Sequence, residues 1–469
     1  MNQKQPETFS DDVLTELSYP LPQELTGDRQ EKGIVLSQLL PLFFEAWEIN
    51  IDGIPLRIET LEDTLEHSYL LTSDPELALF IPGYQIFTDV GSIDVSGEIL
   101  ADDQLEIWIS WEGTDELREE ILRFGKNHAI DITVLNIPNP ESRLISVVRG
   151  GGSAPDIIMS SPGKLHSLVE AKALQPLPQS LTIDLDQRGV QAFSLQEKQW
   201  ALPFYCDSQL FFYNPELIDL SSHDSITLTE LETLAAQLSS EVALPLTWNA
   251  YSVFWLLPFE YSFGKESLFE DNRDISVFDE PTKRALDYIV ELNQKDYFRP
   301  TEKDAMISLF SSGRSAMIYS ASYSIPYFQK LGIPYEIAPV IINDATSTPL
   351  SPMLDFKAFG ITHHSSHPIL AYRLLSYLTG LDVQYRFSKE LYKLPANSFS
   401  SKALESSTPY YEVMLKQTEQ GKVIPSDSAY TAYKNIMWKL LRFALSGQMK
   451  TEEVLKQGER LLEQASSDQ

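Results

Sequence analysis

The sequence has neither the cysteines of a disulfide framework nor an apolar run long enough for a membrane helix. It contains a single cysteine, Cys206, which excludes an internal disulfide framework and any cysteine-rich zinc site. The longest apolar run, Ile34–Phe44, is interrupted by Ser37 and Pro41 and is shorter than the roughly 18 residues of a membrane helix. The N-terminus has no apolar signal core, so we expect either a cytoplasmic protein or one whose leader has been removed.

Basic residues are also scarce. Lys and Arg number 36 against 67 Asp and Glu, which gives a formal net charge of −31. Binding to nucleic acid or to an anionic membrane surface requires basic clusters, and the sequence has none. Both partners are therefore excluded. The charge is uneven, since residues 1–104 contain 21 acidic and 4 basic residues, a net charge of −17.

The composition is sufficient for several packed domains. Apolar residues make up 43% and aromatic residues 11% of the 469 residues, which excludes global disorder. The length suggests three domains of roughly 150 residues each. We interpret residues 1–27 as a polar tether or arm and residues 28–103 as a small acidic α+β domain. Within the latter we predict a helix at Ile34–Trp47, a strand–turn–strand at Ile49–Ile58, and strands at 77–81, 85–90 and 92–99.

From residue 104 onward, strands and helices alternate. A strand at Leu105–Trp111 precedes a helix at Asp115–Lys126, and a strand at Asp131–Ile137 precedes a helix at Pro140–Val148. This alternation predicts a parallel, doubly wound sheet. Ligands of such sheets bind at the carboxyl ends of the strands. That rule places five residues on one rim: Trp111, Glu112, Met159, Ser160 and Ser161.

The stretch Gln199–Leu217 joins two such αβ regions. It holds two apolar runs linked by Cys206-Asp-Ser-Gln. We interpret it as a buried strand that passes between two lobes, with the carboxylate of Asp207 at the junction.

Four blocks of residues carry a resemblance to a known family. They are Gly152-Ser-Ala-Pro-Asp-Ile-Ile-Met with Leu168–Leu177, then Trp200–Leu217, then Phe310–Tyr319, and finally Ile424–Gly447. In this order they resemble the extracellular solute-binding proteins of ABC importers, specifically the sugar-binding, maltose-binding-protein-like group. The resemblance covers about residues 104–469 and leaves residues 1–103 without a counterpart.

The resemblance implies an α/β fold, the two-lobed periplasmic-binding-protein-like fold (type II), with the small N-terminal α+β domain added to it. Lobe 1 would comprise residues 104–205 plus 350–400, and lobe 2 residues 208–340 plus 405–469. Such lobes close over a ligand in the cleft between them. The protein would be a monomer that delivers its ligand to the transmembrane permease subunits of the importer.

The resemblance also implies a set of ligand-binding residues. Asp207 matches a hinge carboxylate near the ligand, Tyr323 matches a stacking aromatic, and Lys434 stands where a second stacking aromatic is expected. The complete predicted set is Trp111, Glu112, Ser160, Ser161, Asp207, Asn249, Tyr251, Tyr323, Asp355, Tyr430 and Tyr433. Aromatic faces and carboxylates together suit sugars, which present both CH faces and hydroxyls.

Catalytic and metal-binding alternatives find little support. The carboxylates at 106, 112, 115, 116, 119 and 120 could serve a glycoside hydrolase, but most lie on one charged helix face. The histidines at 363, 364 and 367 lack spaced carboxylate or cysteine partners for a metal. Gly150–Gly152 lacks the Lys and Ser/Thr of a phosphate loop. We therefore expect no enzyme, no cofactor and no metal.

Two functions remain open from the sequence. The first is an extracytoplasmic receptor, in the periplasm or anchored by a lipid, for a sugar or oligosaccharide; a polyol, a glycerol phosphodiester or a peptide stays possible as ligand. The alternative is a solute-binding fold that serves as an adaptor, whose acidic N-terminal domain recruits a partner.

Overall fold

The structure is a computed structural model. It describes residues 104–128, 130–177, 184–268, 277–407, 409–425 and 428–467, together with seven short strands within residues 1–103. The chain divides into two compact units. The first contains Met1–Cys206, Phe356–Glu390 and Pro395–Ser407, and the second contains Asp207–Asp355, Leu391–Leu394 and Thr408–Gln469. The lobe and domain bounds given by the sequence remain predictions.

The strands before residue 104 form two antiparallel sheets, ordered β1-β2-β5-β6 and β4-β3-β7. They are β1 Tyr19–Pro20, β2 Lys32–Val35, β3 Glu48–Ile51, β4 Ile54–Leu56, β5 Tyr69–Leu71, β6 Ala78–Phe80 and β7 Ile93–Ser96. Ile51 pairs with Ile54, which confirms the predicted strand–turn–strand. The prediction of a helix from Ile34 is wrong at its start, because strand β2 extends to Val35. The β-branched residues Ile34 and Val35 favour a strand. Residues 36–47 of the predicted helix and the predicted strand at 85–90 lie outside the described residues.

The remaining elements follow in chain order. Up to residue 213 they are β8 Gln104–Ile109, α1 Thr114–His128, β9 Asp131–Asn136, α2 Pro140–Arg149, β10 Ile157–Ser160, α3 Leu165–Glu170, α4 Gln187–Ala192, β11 Ser194–Leu195, β12 Lys198–Gln199 and β13 Leu202–Tyr213. Up to residue 349 they are β14 Ser225–Thr227, α5 Leu228–Gln237, β15 Leu246–Trp248, α6 Val253–Ser262, α7 Glu280–Leu292, α8 Lys303–Ser311, β16 Met317–Ala321, α9 Ile325–Leu331, β17 Glu336–Ile337, β18 Val340–Asn343 and β19 Thr348–Pro349. The last are β20 Met353–Ile361, α10 Pro368–Thr379, α11 Leu381–Leu391, β21 Leu394–Pro395, α12 Ser398–Ser407, α13 Pro409–Thr418, β22 Lys422–Val423, α14 Ser428–Leu445 and α15 Thr451–Ser467.

The first unit contains the predicted parallel sheet. Strand β8 lies between β9 and β10 and is parallel to both, so the carboxyl ends of these three strands meet at one edge. The last residues of β20 pair with β10 in the antiparallel direction, with Ser160 opposite Ala358. The start of this part of β20 therefore lies at the edge where β10 ends.

Helix α1 covers this sheet because its apolar residues recur with helical spacing. Leu117, Ile121 and Phe124 are buried and pack on β9 and α10. The carboxylate of Glu120 fixes the helix further, since Arg386 of α11 donates to both of its oxygens at 3.0 and 2.9 Å. Glu120 therefore takes part in the packing of helix α1 within the first unit.

The second unit is built around a mixed sheet and a group of helices. Strand β13 lies between β16 and β17 and is antiparallel to both, and β15 is parallel to β16. Its core is aromatic: the rings of Phe211 and Tyr319 stack with centroids 4.0 Å apart, and Trp248 packs on Phe298 at 4.4 Å. Helix α6 packs on α7 and α14, and α15 packs on α7 and α14, which encloses this core.

The first two passages of the chain from one unit to the other lie inside strands. The first passage follows Cys206 in β13, as predicted for the stretch Gln199–Leu217, and all twelve residues of this strand are buried. The second follows Asp355 in β20. Within the ranges given above, no helix combines the length and the apolarity that crossing a membrane requires.

Candidate functional site

Trp111 occupies the loop between β8 and α1 in the first unit. Its φ of 69° lies in the left-handed region, which a bulky residue rarely adopts, and such a conformation costs about 1–3 kcal/mol. The Nζ atom of Lys357 lies 4.6 Å from the centroid of its ring. The indole is half-buried and the neighbouring Glu112 is exposed. An unfavourable backbone that displays an aromatic ring at a sheet edge is a feature typical of binding sites.

Glu141 lies at the same edge, in the first turn of α2 after β9. It is 3% exposed, and its Oε1 accepts hydrogen bonds from the backbone N–H of Ser161 at 3.2 Å and from the Ser161 hydroxyl at 3.1 Å. Burial raises the pKa of the Glu141 carboxyl, while these hydrogen bonds and the charge of Lys357 lower it in part. The carboxylate thus fixes the loop after β10.

Trp111, Ser160 and Ser161 therefore lie at one edge of the sheet, where the strand ends placed them, and their contact with a ligand remains a prediction. Ser161 is partly exposed, whereas Ser160 has no exposed surface and donates to the carbonyl of Ser161 at 3.4 Å. Lys357 is 4% exposed and lies beside both Trp111 and Glu141. An aromatic ring, a cation, a carboxylate and a hydroxyl thus share one edge.

Tyr323 occupies the corresponding loop of the second unit, in the 3₁₀ turn Ser322–Ser324 that follows β16. The ring is half-buried, and Nζ of Lys303 lies 3.8 Å from its centroid. Lys303 begins α8. The pair matches that of Trp111 and Lys357, since each unit places an ammonium group over an aromatic ring just after a strand.

Asn249 and Tyr251 follow β15 and lie in a network with two residues that the sequence did not indicate. Nδ2 of Asn249 donates to Glu302 at 2.8 Å, and Glu302 pairs with Arg442 at 3.1 Å. The guanidinium of Arg442 lies 4.9 Å from the ring centroid of Tyr251. Because Glu302 precedes Lys303, this network continues directly from Tyr323.

Asp207 has a partner within its own unit. Lys393 donates to both carboxylate oxygens at 2.8 Å, and the hydroxyl of Ser322 donates to Oδ1 at 2.6 Å. Asp207 is 5% exposed and Lys393 is fully buried. The structure therefore gives Asp207 an internal ion pair beside the Tyr323 loop, and its predicted contact with a ligand remains a prediction.

The tyrosines of α14 lie deeper than a surface site requires. Tyr433 is fully buried, donates to Oε1 of Glu260 at 2.9 Å and packs edge-on against Phe278. Tyr430 is 3% exposed, and burial together with the nearby charge of Asp355 raises the pKa of its hydroxyl. Asp355 is half-buried. In this structure the two tyrosines belong to the packing of the second unit.

A sequence profile of the bacterial extracellular solute-binding proteins matches residues 121–408, more than half of the chain. The chain belongs to this family. It is a family of binding proteins found outside the cytoplasm, and the resemblance seen in the sequence is thereby confirmed.

Two curated relatives of this solute-binding protein come from Bacillus subtilis (strain 168). The maltodextrin-binding protein MdxE is 20% identical over 318 residues, 64% of this chain and 75% of that protein. The galactooligosaccharide-binding protein is 24% identical over 297 residues, 59% of this chain and 68% of that protein. Both relatives are thus named for oligosaccharides.

Solved structures confirm the fold. The maltose/maltodextrin-binding domain of Bdellovibrio bacteriovorus, solved with maltotriose, superimposes with a TM-score of 0.68 at 19% identity, over 78% of this chain and 100% of that chain. At this identity the likeness establishes the two-lobed α/β fold and no more.

Several residues of the candidate site in this solute-binding protein were not predicted from the sequence. Glu141 was within reach, because it follows β9 and the carboxyl end of β9 lies on the rim that indicated Trp111. Lys357, Glu302, Arg442 and Lys393 gave no signal, since each meets its partner through contacts between distant segments. Among the described residues, no group of three or more His, Cys, Asp or Glu side chains could hold a metal ion.

Proposed function

We propose that this solute-binding protein binds an oligosaccharide outside the cytoplasm and delivers it to the transmembrane subunits of an ABC importer. The observation that carries the ligand class is the pairing of aromatic rings with polar groups at the strand ends of each unit. The relatives named for maltodextrin and galactooligosaccharide support the same class. Delivery to a permease rests on membership of the family.

The chemistry of these edges suits a sugar. A pyranose ring offers apolar CH faces to aromatic rings and hydroxyl groups to carboxylates and amides, and binding sites of this kind combine many apolar contacts with few polar ones. In the first unit Trp111 would supply the face, and Glu112 and Ser161 the polar groups. In the second, Tyr323 and Tyr251 would supply faces, and Asn249 an amide.

The other predicted residues enter this proposal in a different role. Asp207 positions the loop of Tyr323 through Ser322, and Ser160 positions Ser161. Tyr430 and Tyr433 support the packing around α14, and Asp355 lies near the Tyr430 hydroxyl. We leave Asp207, Ser160, Tyr430 and Tyr433 out of the proposed direct contacts because they are buried, and Asp355 because its charge lies near the buried Tyr430 hydroxyl.

A thermal-shift screen tests the ligand class. The purified protein is unfolded and refolded to remove any bound ligand and then heated with oligosaccharides, monosaccharides, polyols, amino acids and short peptides. Ligand at about 100 times its dissociation constant adds about 2.7 kcal/mol of stability, a shift of several degrees. Shifts confined to oligosaccharides support the proposal, and shifts confined to peptides or amino acids contradict it.

A second function is favoured by the charge of the N-terminal region. Residues 1–104 carry a net charge of −17, and the family profile begins only at residue 121. A blank screen would favour the adaptor function, in which this acidic region recruits a basic partner. Titration of the full chain with a basic peptide at low and at high salt would then detect the recruitment.

A further inference from the structure

Trp438 is a large aromatic residue at the surface of the second unit. It lies on α14 and is 52% exposed, although tryptophan is among the residues that gain most from burial. The guanidinium of Arg442, one helical turn further on, lies 4.1 Å from the centroid of its ring. The indole is thus held at the surface by a stacked cation.

Arg442 also connects Trp438 to the candidate site. The same guanidinium lies 4.9 Å from the ring of Tyr251, so the centroids of the two rings lie at most about 9 Å apart. The guanidinium also pairs with Glu302 at 3.1 Å. Glu302 directly precedes Lys303, whose Nζ lies 3.8 Å from the ring centroid of Tyr323. Tyr323 is therefore linked to Trp438 through Lys303, its neighbour Glu302 and Arg442, and Tyr251 lies beside the same guanidinium. Trp438 forms the outer end of this series.

Asn249 provides an independent indication of a ligand along this series. Its Nδ2 is engaged by Glu302, while its Oδ1 is buried and has no hydrogen-bond partner among the described residues. Buried acceptors are nearly always satisfied in folded proteins. A sugar hydroxyl bound over Tyr251 would donate to this oxygen, and Glu302 would accept from a neighbouring hydroxyl.

We propose that Trp438 is an outer stacking platform that binds an additional sugar ring of an oligosaccharide and so selects for chain length. This inference rests on the proposed function and deepens it, because it names a residue that short and long ligands use differently. The inner rings of the ligand contact Tyr323 and Tyr251. A further ring of a longer chain lies on the indole, which Arg442 keeps in place.

The test compares the full-length protein with its Trp438→Ala variant by isothermal titration calorimetry. The ligands are malto- and galacto-oligosaccharides from the disaccharide to the heptasaccharide. Loss of one aromatic contact weakens binding about 3- to 10-fold, and we expect this loss only for chains long enough to reach the indole. Phe443→Ala is the matched control, because Phe443 lies on the same helix and is 42% exposed; its affinities should equal those of the wild type.

Fluorine NMR of protein labelled with 5-fluorotryptophan gives a second readout. The chain has seven tryptophans, and the resonance missing from Trp438→Phe identifies that of Trp438. We expect this resonance to shift with the long oligosaccharides and to stay in place with the disaccharide.

Each outcome decides between the two proposals. If the wild type and the Trp438→Ala variant bind the long chains equally well, and the Trp438 resonance of the wild type does not move, this inference alone is overturned. An equal loss of affinity for every chain length also overturns it, since the platform would then not be an outer one. A wild-type protein that binds no oligosaccharide at all overturns the proposed function and this inference with it.

Discussion

Lys393 and Asp207 form a buried ion pair in which the ammonium group lies 2.8 Å from both carboxylate oxygens. Neither side chain exceeds 6% exposure. The pair joins the segment Leu391–Leu394 to the start of the second unit's part of β13. Each charge is compensated inside the protein, so the removal of either partner would take from the other the opposite charge that this pair supplies.

We predict that Lys393→Met lowers the free energy of unfolding by about 3–5 kcal/mol, the usual cost of a broken buried pair. Urea denaturation at pH 7 measures this change. The double variant Lys393→Met with Asp207→Leu should be more stable than the single one, because it buries no unpaired charge. Lys416→Met is the control: Lys416 pairs with the fully exposed Asp224, and its loss should leave the midpoint unchanged.

Acid should destabilise the protein through His128. Burial, with the charge of Arg373, lowers the pKa of His128 from 6.5 to about 4, so the folded state holds the neutral imidazole. The unfolded chain takes up the proton first as the pH falls below 6.5. The stabilisation is therefore complete above pH 6.5 and is lost progressively toward pH 4, by about 3 kcal/mol at most.

Melting curves between pH 7 and pH 4 test this dependence. His128→Leu should flatten the fall in melting temperature over that interval. His223→Gln, at an exposed position, should leave the fall as it is in the wild type. A His128→Leu variant that keeps the full pH dependence would contradict the assignment.

The backbone conformation of Trp111 should reverse the usual order of stability of a glycine and an alanine variant. Glycine usually destabilises a protein relative to alanine, but at a φ of 69° it is the residue without a steric penalty. We predict that Trp111→Gly is more stable than Trp111→Ala by about 1 kcal/mol. Thermal denaturation gives the order, and calorimetry with an oligosaccharide should show that both variants lose affinity to the same extent.

Substitution of Tyr323 distinguishes a ring that contacts the ligand from a ring that only packs within the protein. We predict that Tyr323→Ala weakens oligosaccharide binding about 3- to 10-fold, because the ring supplies the inner stacking face. Tyr327→Ala is the control, since Tyr327 lies on the adjacent α9 and is 46% exposed. If Tyr323→Ala binds as tightly as Tyr327→Ala, the sugar does not contact this loop.

The two-lobed fold was predictable where the chain is locally regular. The alternation from Leu105 to Val148 predicted parallel strands, and β8, β9 and β10 pair in this way because apolar strands and amphipathic helices bury their faces only in such layers. The rim rule then located Trp111 and Ser161. Their environment was not predictable, since the charge over Trp111 comes from Lys357, which lies more than two hundred residues away in the chain.

The same limit applies to the polar groups of the second unit. Lys393 is 186 residues from Asp207, and Arg442 is 140 residues from Glu302. No sequence spacing encodes such pairs. The resemblance suggested ligand contacts for Tyr433 and Asp207 from position alone, whereas the structure shows the internal hydrogen bonds that both already make.

The order of the segments along the chain delays the completion of both units during synthesis. Strand β10 of the first unit lacks its neighbouring strand β20 until residue 361 has been synthesised. The core of the second unit stays open until α14 and α15 pack on α6 and α7, and α15 extends to Ser467. Because domains generally fold as units, neither unit can finish folding until these late segments have been synthesised, so the earlier strands and helices must wait for partners encoded far downstream.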